Sequence, residues 1–175
     1  MEKSATRPMA LGLIVLGGLI RITQALNFAP VGAISLFAGA RLRGWQSYTV
    51  PLVLMAITDV VLGGNPAWPT VYLAFAISVW IGTRLRQTEN PLAIGAGSLA
   101  GSIQFFLITN FGSWLSMADT YPRTLQGLLQ CYAAGMPFYW RTLASDVIYA
   151  GLLFGLHAWL SRTVAPRERV TLQTA

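Results

Sequence analysis

The chain has 175 residues, of which 54% are apolar and only 10% charged, with a mean hydropathy of +0.55. An ordinary soluble domain carries about a quarter charged residues. The composition therefore excludes a typical soluble enzyme and a disordered tail, and the single cysteine excludes a disulfide scaffold.

A transmembrane helix needs roughly 20 mostly apolar residues, so six would consume about 120 of the chain. The predicted fold class is all-α: one polytopic transmembrane domain over residues 1–175, with six spans. Apolar runs bounded by charges and prolines set them out in order. The first is Met9–Ala25. Lys3 and Arg7 precede it as in a signal peptide, but Arg21, Gln24 and Asn27 stand where a small-residue cleavage site belongs, so it reads as an uncleaved span. The second, Val31–Leu42, is short for a crossing. Tyr48–Leu62, Thr70–Gly82 and Leu92–Phe111 follow, and Leu143–Leu160 is the last. Between the fifth and last, Pro122–Tyr139 carries Arg123, Gln126 and Gln130. It reads as a separate short amphipathic or re-entrant helix ended by Pro137.

Twelve basic residues against six acidic give a net charge of +6. In a soluble chain that would point to nucleic acid. Here the basic residues lie between apolar runs, so orientation explains them and no nucleic-acid partner is expected. With a cytoplasmic N-terminus, Lys3, Arg7, Arg41, Arg43, Arg84, Arg86, Arg162, Arg167 and Arg169 fall inside, against only Arg21, Arg123 and Arg141 outside. That asymmetry predicts an inner-membrane protein with both termini in the cytoplasm. The outer connections are then 27–30, 63–69 and 112–141. They hold Trp68, Trp114, Tyr121 and Trp140, which suit either an interfacial aromatic belt or a cavity mouth.

Four charges stand in or beside the spans: Arg21, Asp59, Arg141 and Asp146. Each costs at least ~2.5 kcal/mol on insertion scales, so each is expected to face the protein interior and pair. Arg21 with Asp59 is the preferred pair. Arg141 and Asp146 are five apart on one helix, so each is expected to pair elsewhere. Such pairs either clamp helices or line a ligand site. Asn27, Asn65 and Asn110 end apolar runs on the outer side, where each suits a helix cap or a ligand hydrogen bond. His157 reads as a packing residue, and Cys131 lacks the neighbours of a metal site. Ala93, Gly97 and Gly101 form a small-residue face for tight helix packing.

No GxxxxGK[ST], HExxH, CxxC or GxSxG motif occurs, and one histidine makes a nucleophile triad unpromising. No catalytic residues, metal or cofactor are expected. Nor are there two matched halves with broken helices, as many secondary transporters show.

The segment Asn27-Phe-Ala-Pro-Val-Gly-Ala-Ile-Ser-Leu-Phe-Ala-Gly-Ala40 joins a polar turn to the short second span. Asp59-Val-Val-Leu-Gly-Gly-Asn-Pro-Ala-Trp-Pro-Thr70 then leads into the fourth. This pairing resembles the substrate-binding S components of energy-coupling-factor vitamin transporters, nearest the cobalamin-type branch, with their N-x-x-P-V start and G-x-x-P-W-x-P-like loop. Thr109-Asn-Phe-Gly-Ser-Trp114, with Tyr121-Pro122 and Pro137-Phe138, also resembles an uncharacterised bacterial membrane family of the same size. The resemblance spans about residues 10 to 160.

It implies six helices around an outward cavity roofed by the loops after the first, third and fifth spans. The carried-over ligand residues are Asn27, Phe28 and Pro30, then Asn65, Trp68 and Tyr72, then Asn110, Trp114 and Tyr121. Aromatic faces for a planar ring and amides for its rim suit a vitamin-sized ligand. The implied partners are a small molecule such as cobalamin or another vitamin, and an energy-coupling membrane subunit with ATPases. The Ala-xxx-Ala docking face that many S components carry on the first span is missing here. The alternative is a non-catalytic structural or assembly subunit of a larger membrane complex.

Overall fold

The computed structural model describes residues 6–23, 30–63 and 68–163, and every element in them is helical. The helices are α1 Thr6–Thr23, α2 Val31–Arg41, α3 Gln46–Leu62, α4 Trp68–Arg84, α5 Pro91–Ser116 and α6 Leu125–Thr163. Their ends follow local chemistry. Pro30 precedes α2, and its carbonyl accepts the Ile34 N–H at 2.8 Å. Gly44, at φ +60°, turns the chain between α2 and α3, and Gly63 closes α3 in the left-handed conformation that glycine adopts without strain. At α5, Pro91 takes the first position and the Asn90 side chain accepts from the Leu92 N–H at 3.0 Å.

The short second run is the centre of the fold. Nine of the eleven residues of α2 are buried, and α2 touches all five other helices. A helix apolar on every side belongs in an interior. Its Ile34, Leu36 and Phe37 join Ile14 of α1 and Leu153 and Phe154 of α6 in the main core. The closest approach is to α4. A Cβ on Gly39 would meet the Val79 carbonyl, and one on Gly82 would meet the Leu36 carbonyl. Glycine at both positions lets the two backbones touch.

Small polar side chains are buried alongside the apolar core, and many large apolar side chains face outward. Ser35, Ser47, Thr58, Ser78, Ser98, Ser102 and Asp146 are buried, while Val60, Leu92, Leu125, Val53 and Leu152 are exposed. Two helices, α5 with 26 residues and α6 with 39, are long and apolar enough to cross a membrane. α2 and α3 are shorter apolar helices.

The segment 122–139 is not a separate helix. Residues from Leu125 onward run without a break through Pro137 into the last apolar run, forming a single helix of about 58 Å at 1.5 Å per residue. Packing against α5 holds the first half in place. The Cys131 thiol donates to the Asn110 carbonyl at 3.3 Å, the Tyr132 hydroxyl donates to the Leu107 carbonyl at 2.8 Å, and Gly135 sits against the Asn110 side chain. A proline removes one hydrogen bond but does not end a helix whose neighbours fix its course.

Candidate functional site

At one end of the bundle α1 and α3 finish and α4 begins. There Arg21 meets Asp59 in an ion pair at 2.5 Å, with the two side chains only 15% and 21% exposed. Arg21 also donates to the Thr58 hydroxyl and to the Met55 carbonyl at 3.3 Å. The other Asp59 oxygen accepts the Tyr72 hydroxyl at 2.9 Å. Both carboxylate oxygens are thus engaged, and three helices are tied by one cluster.

Beside that cluster lies a cavity of about 210 Å³ between α4, α5 and α6. Phe105, Phe106, Phe138 and Tyr139 supply its aromatic walls, and Ser102, Thr109, Asn110, Ser113 and Thr142 its polar groups. On α5 the positions 102, 105, 106, 109 and 113 recur at three- and four-residue spacing, which places them on one helix face. The Phe106 ring packs on Tyr139 at 5.1 Å and on Tyr132 at 5.6 Å, stiffening one wall. The Asn110 amide donates to the Phe106 carbonyl at 2.8 Å.

Deeper in the bundle, the Ser102 hydroxyl donates to an Asp146 oxygen at 2.7 Å. Asp146 is 4% exposed. A Cβ on Gly32 would strike its carboxyl group, so Asp146 sits against the first turn of α2. The backbone N–H groups there have no partner within their own helix, and a carboxyl oxygen is a suitable acceptor for them.

The residues expected from sequence do not all meet at one place. Arg21, Asp59 and Tyr72 are brought together, and Asn110 lines the cavity. Trp114 and Tyr121 are not among the cavity's lining residues. The Trp114 indole donates to the Pro122 carbonyl at 2.9 Å and lies under the Arg123 guanidinium, so it braces the turn between α5 and α6. Pro30 is buried at the start of α2. Asn27, Phe28 and Asn65 lie outside the described residues, as does the side chain of Trp68. Arg141 and Asp146 do not behave alike: Arg141 is exposed on α6 with no ion pair among the described residues, and Asp146 is buried against a hydroxyl rather than a cation. The reason is geometric, since the first turn of α2 occupies the space beside Asp146.

Of the other cavity residues, Thr109, Ser113 and Phe138 stand in the quoted motifs without an assigned role, and Ser102, Phe105, Phe106, Tyr139 and Thr142 are not singled out from sequence. The recurrence on α5 was a usable signal, because hydroxyls on an otherwise apolar helix mark its inward face. Among the described residues no three His, Cys, Asp or Glu side chains come together as metal ligands would.

Fold and site together define an all-α bundle wrapped around a buried half-length helix, with a compact aromatic and hydroxyl-lined cavity near one end. The chain belongs to the family of unknown function DUF6580, whose sequence profile matches residues 2–169. No curated protein matches it, and no solved structure does.

Proposed function

We propose that this protein is a membrane-embedded capture protein, taking up a vitamin or similar small organic molecule in the manner of an S component. The observation that carries the reading is the cavity between α4, α5 and α6, with aromatic rings for a planar ligand and five hydroxyl or amide side chains for its rim. Sites of this kind combine apolar walls with a few placed polar groups. At about 210 Å³ the cavity lies under the ~300–1,000 Å³ of typical small-molecule sites, which favours a compact ligand over one as large as cobalamin.

In this reading the six-helix bundle sits in the bacterial inner membrane, with the half-length α2 enclosed by the other five helices rather than facing lipid. The outward apolar surface supports it: exposed Val60, Leu92 and Leu125 suit lipid, and buried serines suit an interior shielded from it. Arg7, Arg41, Arg43 and Arg86 gather at the end opposite the Arg21–Asp59 pair, which supports an outward cavity and cytoplasmic termini. Asn27, Phe28, Asn65 and Trp68 of the outer connections would roof the ligand, and binding would favour the closed state through contacts that only that state makes. Release inward would draw on an energy-coupling membrane subunit with ATPases.

A thermal-unfolding screen of the detergent-purified chain against water-soluble vitamins, cobalamin included, tests the reading. Saturable stabilisation by one compact compound, lost in Asn110→Ala, supports it. No stabilisation by any compound, together with co-purification of fixed partner subunits, favours the assembly-subunit alternative.

A further inference from the structure

The opposite end of the bundle holds a second, larger hollow of about 910 Å³. Four guanidinium groups border it: Arg7 from the start of α1, Arg41 and Arg43 from the end of α2, and Arg86 from the turn after α4. Among the described residues one carboxylate, that of Glu89, lies on its wall, and that group is already paired with Arg162 at 2.5 Å. Among the described lining residues four guanidinium groups therefore face one carboxylate, a surplus of positive charge.

Membrane orientation alone requires arginines on the correct side, not arginines converging on one concavity. Arg41 shows that more than orientation is at work. Its guanidinium is held in place, donating to the Thr88 carbonyl at 2.8 Å and lying 4.8 Å from the centre of the Phe154 ring. Its Nη1 is enclosed and has no acceptor among the described residues, and neither has the hydroxyl of Ser161, which borders the same hollow. Enclosed donors without acceptors are costly, and a fixed guanidinium fork matches a phosphate in geometry as well as charge.

We propose that this hollow binds a phosphate-bearing anion, gripped by Arg41, Arg43 and Arg86 with Arg7 closing one side. Two sources offer that chemistry: the headgroup of an anionic phospholipid, since basic pockets on the cytoplasmic side of membrane proteins lie at headgroup level, and a soluble phosphate compound. The site is separate from the aromatic cavity, and its occupancy does not depend on what that cavity binds.

Two arms distinguish the sources. In the first, the delipidated full chain in neutral detergent is titrated with inorganic pyrophosphate against sodium chloride of equal ionic strength, and thermal unfolding is followed. In the second, native mass spectrometry reads lipid adducts on the chain released from phosphatidylcholine nanodiscs with and without phosphatidylglycerol. The expected result is saturable binding at one site in at least one arm. That binding is weakened about tenfold in Arg43→Gln and in Arg86→Gln, the loss expected for one charge-assisted hydrogen-bond pair. Both residues are exposed, so these variants keep the fold. Arg41→Lys, which keeps the charge and loses the fork, is also weakened, and Arg141→Gln at a distance is unchanged. Pyrophosphate binding without phosphatidylglycerol adducts assigns a soluble phosphate, and the converse assigns a headgroup. Absence of binding in both arms, or equal weakening by Arg141→Gln, overturns the proposal.

Discussion

The Ser102 hydroxyl and the Asp146 carboxyl group share a hydrogen bond of 2.7 Å in the buried interior, joining α5 to α6 where α6 meets the first turn of α2. Ser102→Ala leaves a buried carboxyl oxygen without its donor and is expected to cost about 1–3 kcal/mol. Gly32→Ala drives a methyl group into the same carboxyl and is expected to cost at least as much. In thermal unfolding of the detergent-solubilised protein both variants should melt several degrees lower. Unchanged melting would mean that Asp146 does not brace α2.

The Arg21–Asp59 pair predicts a non-additive result. With both side chains largely buried, Asp59→Asn and Arg21→Gln should each cost about 2–3 kcal/mol, somewhat below the cost of breaking a fully buried pair. The double variant should lose less than the sum, by about 1–2 kcal/mol. Tyr72→Phe, which removes only the third hydrogen bond, should cost about 1 kcal/mol. A double-mutant cycle on unfolding midpoints reads all three.

Glycine substitutions separate contact from open space. Gly39→Ala and Gly82→Ala place a Cβ against backbone carbonyls that cannot yield, so each should cost more than about 2 kcal/mol and lower the yield of folded protein. Gly12 has open space around its Cα, and Gly12→Ala should be neutral or stabilise by up to about 1 kcal/mol. Size-exclusion chromatography in detergent with an unfolding midpoint distinguishes the three.

Cysteine labelling tests the arrangement across the membrane. In a Cys131→Ser background, a membrane-impermeant maleimide should label Thr120→Cys, in the turn before α6, on intact cells. It should label Gln87→Cys, in the turn before α5, only after permeabilisation. Labelling of both positions on intact cells would contradict this arrangement.

The two readings of the chain diverge at identifiable places. The starts and ends of α2 to α5 were legible within a few residues, because Pro30, Gly63, Asn90 and Pro91 act through local backbone chemistry. Helix α5 runs five residues past Phe111, where Gly112 packs on Thr70 of α4 and the Ser116 hydroxyl donates back to the Gly112 carbonyl. The fusion of 122–139 with the last run was not legible, since Pro137 and Arg141 mark a boundary locally and only contacts with α5 override them. The Arg21–Asp59 pairing could be reasoned from the cost of lone charges in an apolar run. The placement of Asp146 beside α2 could not, because it depends on how two helices distant in sequence cross. The cavity lies along α5 and α6 rather than beneath Trp114, whose indole is spent on the neighbouring turn.

Filling the cavity is the most direct test of capture. Wild-type protein and the variants Ser113→Trp and Thr142→Trp would be purified from the same host and compared by native mass spectrometry, with unfolding midpoints to show that all are folded. Capture in the α4–α5–α6 cavity predicts a discrete small-molecule adduct on the wild type that is absent from both folded variants. A wild type without any adduct, or an adduct that persists when the cavity is filled, would contradict it.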